Sequence, residues 1–142
     1  MTKKMPLMAQ MSIIFLTWRR SLQKDLLPHK ITLKQEYVLE TLIKNDFLNP
    51  SQIAEMLFCD RPTATVIIKN MEREGWIRKE KDLENGKMIN IYITEKGRQK
   101  LLEIQQEAAE GNKHKYDPTE CLSNEERDQL DKLLRKIRKN IK

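Results

Sequence analysis

The spacing of apolar residues predicts long helices near both ends of the chain. Between residues 5 and 27 apolar side chains recur every three or four positions, as they do along one face of an α-helix. This first stripe comprises Leu7, Met11, Ile14, Phe15, Trp18, Leu22 and Leu26. A second stripe with the same spacing comprises Leu130, Leu133, Leu134, Ile137 and Ile141. Each stripe is long and narrow, so each helix is expected to have one apolar face.

Polar capping residues mark where the remaining helices begin. Three pairs have the capping-box spacing, in which each side chain bonds the partner's backbone N–H: Thr32 with Gln35, Asn49 with Gln52, and Ser123 with Glu126. Asp60 or Arg61 is expected to cap a further helix, with Pro62 in its first turn. Gly75 is expected to end that helix, because glycine readily adopts the left-handed conformation of a helix C-cap. The buried face of the helix is predicted to contain Ala64, Ile67, Ile68 and Met71.

After Trp76 the spacing of apolar residues changes from every three or four positions, as in a helix, to every second position, as in a strand. Ile89, Ile91 and Ile93 alternate with more polar residues, as in a half-buried strand, and Asn85-Gly86 is the strongest hairpin signal. Thr94 then begins another helix. The chain is therefore predicted to be mainly α with a small β-hairpin wing. We interpret residues 32–97 as a winged helix-turn-helix core within a single domain, 1–142.

Composition and charge favour a polyanionic partner. The chain has 142 residues, 39% hydrophobic and 34% charged, with only 4 Gly and 5 Pro, which argues against disorder and an all-β fold. The net charge of +6 and the pI near 9.3 favour nucleic acid first and an anionic membrane surface second. A basic protein without such a partner is the open alternative.

The sequence predicts a cytoplasmic protein without a membrane span. No apolar run approaches the ~18 residues that a membrane helix needs. The first twenty residues have no small-residue cleavage site after them, so they do not resemble a signal peptide. Cys59 and Cys121 are too few for a disulfide scaffold, which favours a reducing compartment.

Motifs for catalysis and metal binding are missing from the sequence. There is no Gly-rich phosphate loop, His-Glu metal motif or nucleophile elbow, so we expect neither an enzyme nor a cofactor. His29, His114, Cys59 and Cys121 are scattered without paired ligand spacing, so we predict no metal site. Cys59 is expected to be a small buried apolar group, and Cys121 the more exposed cysteine.

Four segments together resemble the MarR family of winged-helix regulators. They are IAEML at 53–57, DRPTAT at 60–65, MEREGWIRKEKD at 71–82 and ITEKG at 93–97. Their order and spacing are the specific signal, and the likeness covers nearly the whole chain. The resemblance implies a cytoplasmic homodimer that binds a pseudopalindrome in double-stranded DNA, usually as a repressor. It also implies release of DNA by a small phenolic or aromatic effector, or by oxidation.

The resemblance also implies which residues contact DNA. They are Ser51, Gln52, Arg61, Pro62, Thr63, Thr65, Val66, Lys69 and Asn70, with wing residues 82–87, among them Asn85, Gly86 and Lys87. Helical spacing independently predicts that residues 62, 63, 65, 66, 69 and 70 face outward, and it places Lys69 and Arg73 near phosphates.

Two positions depart from the family pattern. The family commonly has an arginine at the position of Val66, and an Asp-x-Arg in the wing at the position of Asn85-Gly86-Lys87. Val66 cannot donate a hydrogen bond, but its methyl groups suit thymine. Alternatively, Val66 extends the apolar side of its helix and touches the wing.

The helices near the two ends are expected to form an intertwined dimer. We assign residues 5–27 and 98–142 to dimerisation, because a small winged helix can bury its middle helices without them. The predicted interface contains Leu7, Met11, Ile14, Trp18, Leu130, Leu133, Leu134, Ile137 and Ile141. The alternative is that both helices fold back on their own core.

An effector pocket is predicted between the dimer helices and the DNA-binding part. Trp18, Arg19 and Tyr37 are candidate lining residues, because an aromatic wall and a cation suit an aromatic carboxylate. The alternative is that Trp18 belongs to the dimer core and Arg19 is a surface charge or a phosphate contact.

Two functional hypotheses follow from the sequence. The first is a sequence-specific transcriptional regulator that binds DNA as a homodimer. The second is an architectural or protein-interaction winged helix with little sequence readout, which Val66 and the missing wing arginine favour.

Overall fold

The computed structural model describes residues 4–110 and 117–141, and these residues are mainly helical. The helices are α1 (Leu7–Leu26), α2 (Leu33–Lys44), α3 (Pro50–Met56), α4 (Arg61–Arg73), α5 (Glu95–Glu110) and α6 (Asn124–Asn140). The strands are β1 (Ile77–Lys81) and β2 (Ile89–Ile93), and short 3-10 helices lie at Leu27–His29 and Pro118–Cys121. The predicted mainly α fold with one β-hairpin is confirmed. His114 and the rest of the segment 111–116 lie outside the described residues.

The described residues form two compact units. One contains the chain up to Ser21 together with residues 117–141, and the other begins at Leu22 and includes all of α2 to α5. α1 therefore contributes its first part to one unit and its last turn, with buried Leu22 and Leu26, to the other. The predicted limits of the winged-helix core, 32–97, and of the dimerisation segments stay predictions.

The hydrophobic core lies in the unit that begins at Leu22. Its most completely buried large side chains are Leu39, Leu42, Ile53, Met71, Ile91 and Leu101. On α4, Ala64, Ile68 and Met71 are buried, whereas Ile67 is half-buried against the core edge. The predicted inner face of α4 is thus confirmed, and burial of this face fixes which side of the helix faces outward.

Helix boundaries agree with the capping residues of the sequence. All three predicted capping boxes form, at Thr32, Asn49 and Ser123. Asp60, rather than Arg61, caps α4, because its carboxylate accepts the Thr63 N–H at 2.7 Å.

α4 and α1 end in different ways. Gly75 follows α4 with φ +82°, as predicted, and the next N–H, that of Trp76, bonds the Met71 carbonyl. α1 ends at Leu26, and Pro28 lies within the 3-10 turn that follows.

The hairpin differs from the predicted alternation at one end. β1 and β2 pair antiparallel, from Ile77 opposite Ile93 to Lys81 opposite Ile89. Ile91 and Ile93 are buried as predicted, but Ile89 is 39% exposed and Asn90 is buried instead. The prediction fails here because the Asn90 amide turns inward and donates to the Asp82 carboxylate.

The connection between the two strands is longer than a two-residue turn. It spans residues 82–88, and the Asn85 carbonyl accepts the Met88 N–H, so Gly86 and Lys87 occupy its centre. Gly86 does not have a positive φ, and a Cβ there would meet no atom within 4 Å. The Asn85-Gly86 signal therefore locates the turn correctly without being a tight primed turn.

The other unit exposes its apolar residues. On α6, Leu133, Leu134, Ile137 and the adjacent Ile141 are exposed, and Leu130 is half-buried. On α1, Leu7, Ile14 and Phe15 are exposed, whereas Met11 and Trp18 are half-buried. Among the described helices, none is both long enough and apolar enough to cross a bilayer.

Candidate nucleic-acid interface

The starts of α3 and α4 are held together by a side-chain hydrogen bond. Arg61 donates from Nη1 to Ser51 Oγ, ten residues earlier in the chain. At the start of α3, the Gln52 Oε1 accepts the Asn49 N–H at 2.9 Å, so the Gln52 amide nitrogen is the part of that side chain directed away from the cap. These contacts fix the relative position of two helix N-termini, which are favourable places for DNA phosphates.

The first turn of α4 is ordered by Asp60. The hydroxyl and the N–H of Thr63 both bond its carboxylate, and together they hold the pKa of Asp60 below its usual value. One turn on, the Thr65 hydroxyl donates to the Arg61 carbonyl at 2.9 Å. Both threonine side chains are thereby fixed against the helix backbone or its cap.

The outward face of α4 contains the side chains predicted from the sequence. Among the candidate DNA-contacting residues, Asn70 and Asp82 are half-buried, and the others are exposed: Ser51, Gln52, Arg61, Pro62, Thr63, Thr65, Val66, Lys69, Arg73 and wing residues 83–87, among them Asn85, Gly86 and Lys87. Near the end of α4, Arg73 donates to Asn70 Oδ1 at 3.1 Å, which directs the Asn70 amide group outward as a donor. The outward face of α4 from Arg61 to Arg73 is therefore mostly polar, with exposed Val66 as an apolar member.

A close contact joins the end of α4 to the start of α5. The Thr94 hydroxyl donates to the Gly75 carbonyl and accepts the Gly97 N–H. A Cβ at Gly97 would overlap the Trp76 carbonyl oxygen, so this position accepts only glycine without a backbone shift. The wing consequently leaves the core from a rigid base.

The wing loop is organised by Asp82, which sequence reasoning did not single out. Its Oδ1 accepts the N–H groups of Glu84 at 2.9 Å and Asn85 at 3.0 Å, and its Oδ2 accepts the Asn90 amide at 3.1 Å. Asn85 in turn accepts the Lys87 N–H at 3.2 Å. An Asp followed by polar residues and Gly is a recognisable turn signal, which could have identified Asp82.

Side chains on the strands brace the wing against the rest of its unit. Arg78 lies over the Tyr92 ring at 4.4 Å, and the Phe47 ring lies 5.6 Å from that of Tyr92. Lys79 Nζ lies 3.4 Å from Glu72 Oε1, which links β1 to α4. The wing and α4 therefore form one supported surface, with Lys81 and Lys87 exposed on the wing.

Comparison with known proteins places this fold in a family. A family model described as the MarR family matches residues 31–89. YybA of Bacillus subtilis, an HTH-type transcriptional regulator, is 31% identical over 111 residues, which are 78% of this chain and 72% of YybA. The chain belongs to the MarR family.

Two further proteins resemble this chain over different shares of its length. TtmR of Methylorubrum extorquens, an HTH-type transcriptional regulator, is 32% identical over 79 residues, 56% of this chain but only 40% of TtmR. The structure of a mutant MarR from E. coli complexed with operator DNA has a TM-score of 0.76 at 20% identity, covering 94% of both chains. That structural likeness shows the fold. The predicted winged-helix fold and family are confirmed, and the relatives are transcriptional regulators rather than enzymes, as predicted.

Both departures from the MarR pattern lie on the exposed surface. Val66 is 56% exposed, so it does not pack into the core of its own chain. Asn85 and Lys87 are exposed in the wing loop, where the family commonly has an Asp-x-Arg. A side chain with this exposure is available to a ligand, and both interpretations of Val66, as a thymine contact or as an extension of the apolar side of α4, stay predictions.

The candidate effector residues are divided between the two units. Trp18 and Arg19 are half-buried in one unit, with the Phe15 ring 6.1 Å from Trp18, and Tyr37 is exposed in the other. Cys59 is half-buried against the core, less completely than predicted, and Cys121 is exposed, as predicted. Within residues 4–110 and 117–141 no three potential ligands form a metal-binding group, and His29 pairs with Glu107 at 2.8 Å.

Proposed function

We propose that this protein is a homodimeric, sequence-specific transcriptional regulator that acts as a repressor on a pseudopalindromic operator. The observation that supports the proposal most strongly is the division of α4 into two faces. Ala64, Ile68 and Met71 anchor one face in the core, while the other face presents fixed polar and basic side chains. A helix held in this way is suited to enter the major groove while the wing contacts the adjacent backbone.

Exposed apolar residues support the homodimer. Leu7 and Ile14 on α1 and Leu133 and Ile137 on α6 are each more than two-fifths exposed in the single chain. Exposed apolar side chains along a helix face favour association, because burying them removes apolar surface from water. In the dimer, the two α4 helices would enter successive major grooves about 10 base pairs apart.

Selection of bound fragments from random DNA tests the proposal. We expect an enriched palindrome whose half-sites are one helical turn apart, bound by two protein chains at micromolar concentration. Uniform binding to all sequences, with a steep dependence on salt, would instead favour an architectural protein. Val66 and Lys87 are the features that favour this second function, because neither makes the bidentate contact of an arginine.

We also propose that a small aromatic effector releases the DNA. Trp18, Arg19 and Tyr37 have the aromatic and cationic character that an aromatic carboxylate requires. Benzoate and hydroxybenzoate should lower affinity for the selected operator, and Arg19→Gln should reduce that effect while leaving effector-free affinity intact. Unchanged DNA affinity at millimolar concentrations of both acids would exclude this part of the proposal.

The cytoplasmic location stays a prediction. The two free cysteines, Cys59 and Cys121, are compatible with a reducing compartment.

A further inference from the structure

The hydroxyl protons on the outer face of α4 are already used within the protein. Thr65 donates its hydroxyl proton to the Arg61 carbonyl at 2.9 Å, and the Thr63 hydroxyl lies beside the Asp60 carboxylate, whose pKa it lowers. A hydroxyl has a single proton to donate, so Thr65 could donate to a base only by giving up its bond to the Arg61 carbonyl. Arg61 uses one N–H of its guanidinium, on Nη1, for Ser51 and keeps its other donors.

The groups left at this surface are mainly methyls. The Thr65 hydroxyl bonds the helix backbone, which leaves its methyl group free for other contacts, and exposed Thr63 carries a second threonine methyl. Val66 lies one turn beyond Thr63, and it contributes two more methyl groups at 56% exposure. Val66 lies at the middle of the outward side of α4 with one threonine on either flank, and we name these three residues the methyl surface.

The major groove offers one partner of matching chemistry. Thymine alone among the four bases carries a C5-methyl group there, and apolar side chains and threonine methyls contact it. Guanine presents two acceptors, N7 and O6, and would require donors that the methyl surface lacks. Donors lie on either side of the methyl surface, from Arg61 before it and from Lys69, Asn70 and Arg73 after it.

We propose that the methyl surface of Thr63, Thr65 and Val66 recognises thymine through its 5-methyl group, with Val66 as the main specificity-determining residue. This inference rests on the proposed sequence-specific function. It predicts that each half-site contains a thymine opposite Val66, and that affinity depends on the methyl group rather than on the hydrogen-bonding edge of that base pair.

Replacement of single thymines by uracil isolates the methyl group, because uracil pairs identically and lacks only the 5-methyl. In the operator selected from random DNA, each thymine of a half-site would be replaced in turn and the dissociation constant measured at fixed salt. We expect a loss of about fourfold at one or two positions and almost none elsewhere, the effect of removing one buried methyl group.

A double-mutant cycle assigns the effect to Val66. Val66→Ala should weaken binding to the thymine operator by a similar factor and abolish the difference between thymine and uracil at the sensitive position. Lys87→Ala is the matched control. It removes a wing charge, so it should weaken binding to both operators and leave their ratio unchanged.

The outcomes separate this inference from the function on which it rests. Failure to enrich any sequence would overturn the proposed sequence-specific function and this inference together. An enriched operator that tolerates uracil at every thymine, or whose half-sites contain no thymine, would overturn the thymine inference alone. Persistence of the uracil effect in Val66→Ala would overturn the assignment to Val66.

Discussion

At the scale of single residues, Phe58 is the clearest case of a side chain in an unfavourable backbone conformation. It has φ +51° and follows α3, where the N–H of the next residue, Cys59, bonds the Ala54 carbonyl. This is the left-handed position that ends many helices and that glycine prefers, yet here a large aromatic side chain is 85% exposed. A non-glycine residue in this conformation costs roughly 1–2 kcal/mol.

Phe58→Gly should therefore be more stable than Phe58→Ala. Both variants remove the ring, and only glycine relieves the strain at positive φ. We expect the free energy of unfolding to differ by about 1 kcal/mol in favour of glycine, since the greater entropy of unfolded glycine offsets part of the relief. Urea denaturation at equal protein concentration measures the difference.

The matched pair makes this prediction decisive. Alanine and glycine share the loss of every contact made by the ring, so packing cancels between them. Equal unfolding free energies for the two variants would show that residue 58 does not hold the left-handed conformation in solution.

At the scale of elements, the wing loop depends on hydrogen bonds rather than on apolar packing. Leu83, the residue after Asp82, is fully exposed, whereas Asp82 accepts bonds from Glu84, Asn85 and Asn90. The carbonyl oxygen of the buried Asn90 side chain, Oδ1, has no hydrogen-bond partner among the described residues. Since little else fixes the loop, Asp82 is expected to position Lys87 for contact with DNA.

Asp82→Ala should loosen the loop without unfolding the core. The amide hydrogens of Glu84 and Asn85 should exchange faster, and affinity should fall for all DNA sequences, because an ordered loop no longer pre-positions its lysine. Glu84→Ala is the control, since the Glu84 side chain makes no hydrogen bond or ion pair among the described residues. The idea fails if Glu84→Ala and Asp82→Ala accelerate exchange equally.

The pKa of the Asp82 carboxyl group predicts how the wing loop responds to pH. The Asn90 amide, with the N–H groups of Asn85 and Glu84, holds the pKa of Asp82 below its usual value. A lowered pKa means that the stabilisation is fully present above the usual pKa and is lost as the pH falls through the lowered one. The loop should thus remain ordered at neutral and mildly acidic pH.

Nuclear magnetic resonance can follow this transition directly. The Asp82 carboxyl signal should titrate below the usual range, and the protection factors of Glu84 and Asn85 should fall over the same pH interval. The Ile91 amide, which bonds the Leu48 carbonyl at 2.8 Å, reports unfolding of the core and should stay protected. Loss of protection at all three amides together would mean that acid unfolds the core rather than the loop.

The exposed lysine of the wing should contribute affinity without sequence preference. Lysine is a compact hydrated charge and lacks the flat fork with which arginine enters a narrow minor groove. Lys87→Ala should weaken binding to all sequences and reduce the salt slope of log affinity by about one unit. Lys87→Arg should tighten binding most where the flanking DNA is rich in A·T pairs. A changed flank preference with an unchanged salt slope in Lys87→Ala would contradict this role.

At the scale of the whole molecule, the apolar stripe of α6 determines the expected assembly. Leu133 is 58% exposed and Ile137 is 42% exposed in the single chain. Their exposure is consistent with a contact to a second copy of the chain, because a helix with a hydrophobic stripe is stabilised chiefly by packing that stripe.

Leu133→Asp combined with Ile137→Asp should convert the protein to monomers. Each carboxylate would lose its hydration in the dimer contact, at a cost of several kcal/mol without a partner. Sedimentation at micromolar concentration measures the change, and affinity for the palindrome should fall with it. Lys132→Asp, on the opposite side of α6, introduces the same carboxylate and should leave the dimer intact. A monomeric unmodified protein would refute the homodimer.

The sequence by itself determined the position and type of most elements. Capping is local: at Thr32, Asn49 and Ser123 the partner lies three residues away, so the pair can be recognised without knowledge of the fold. The buried face of α4 follows from helical spacing for the same reason. The order of these elements was sufficient to predict the winged-helix fold and the family.

Only the tertiary structure decided the features that join residues distant along the chain. Asn90 turns inward because Asp82, eight residues earlier, accepts its amide, and this breaks the alternation that the strand pattern predicts at one end of β2. Ser51 and Arg61 meet because α3 and α4 pack at a particular angle. Which hydroxyl protons remain for DNA likewise depends on side-chain rotamers within the folded helix. Sequence spacing does not contain that information, because rotamers are selected by the three-dimensional surroundings.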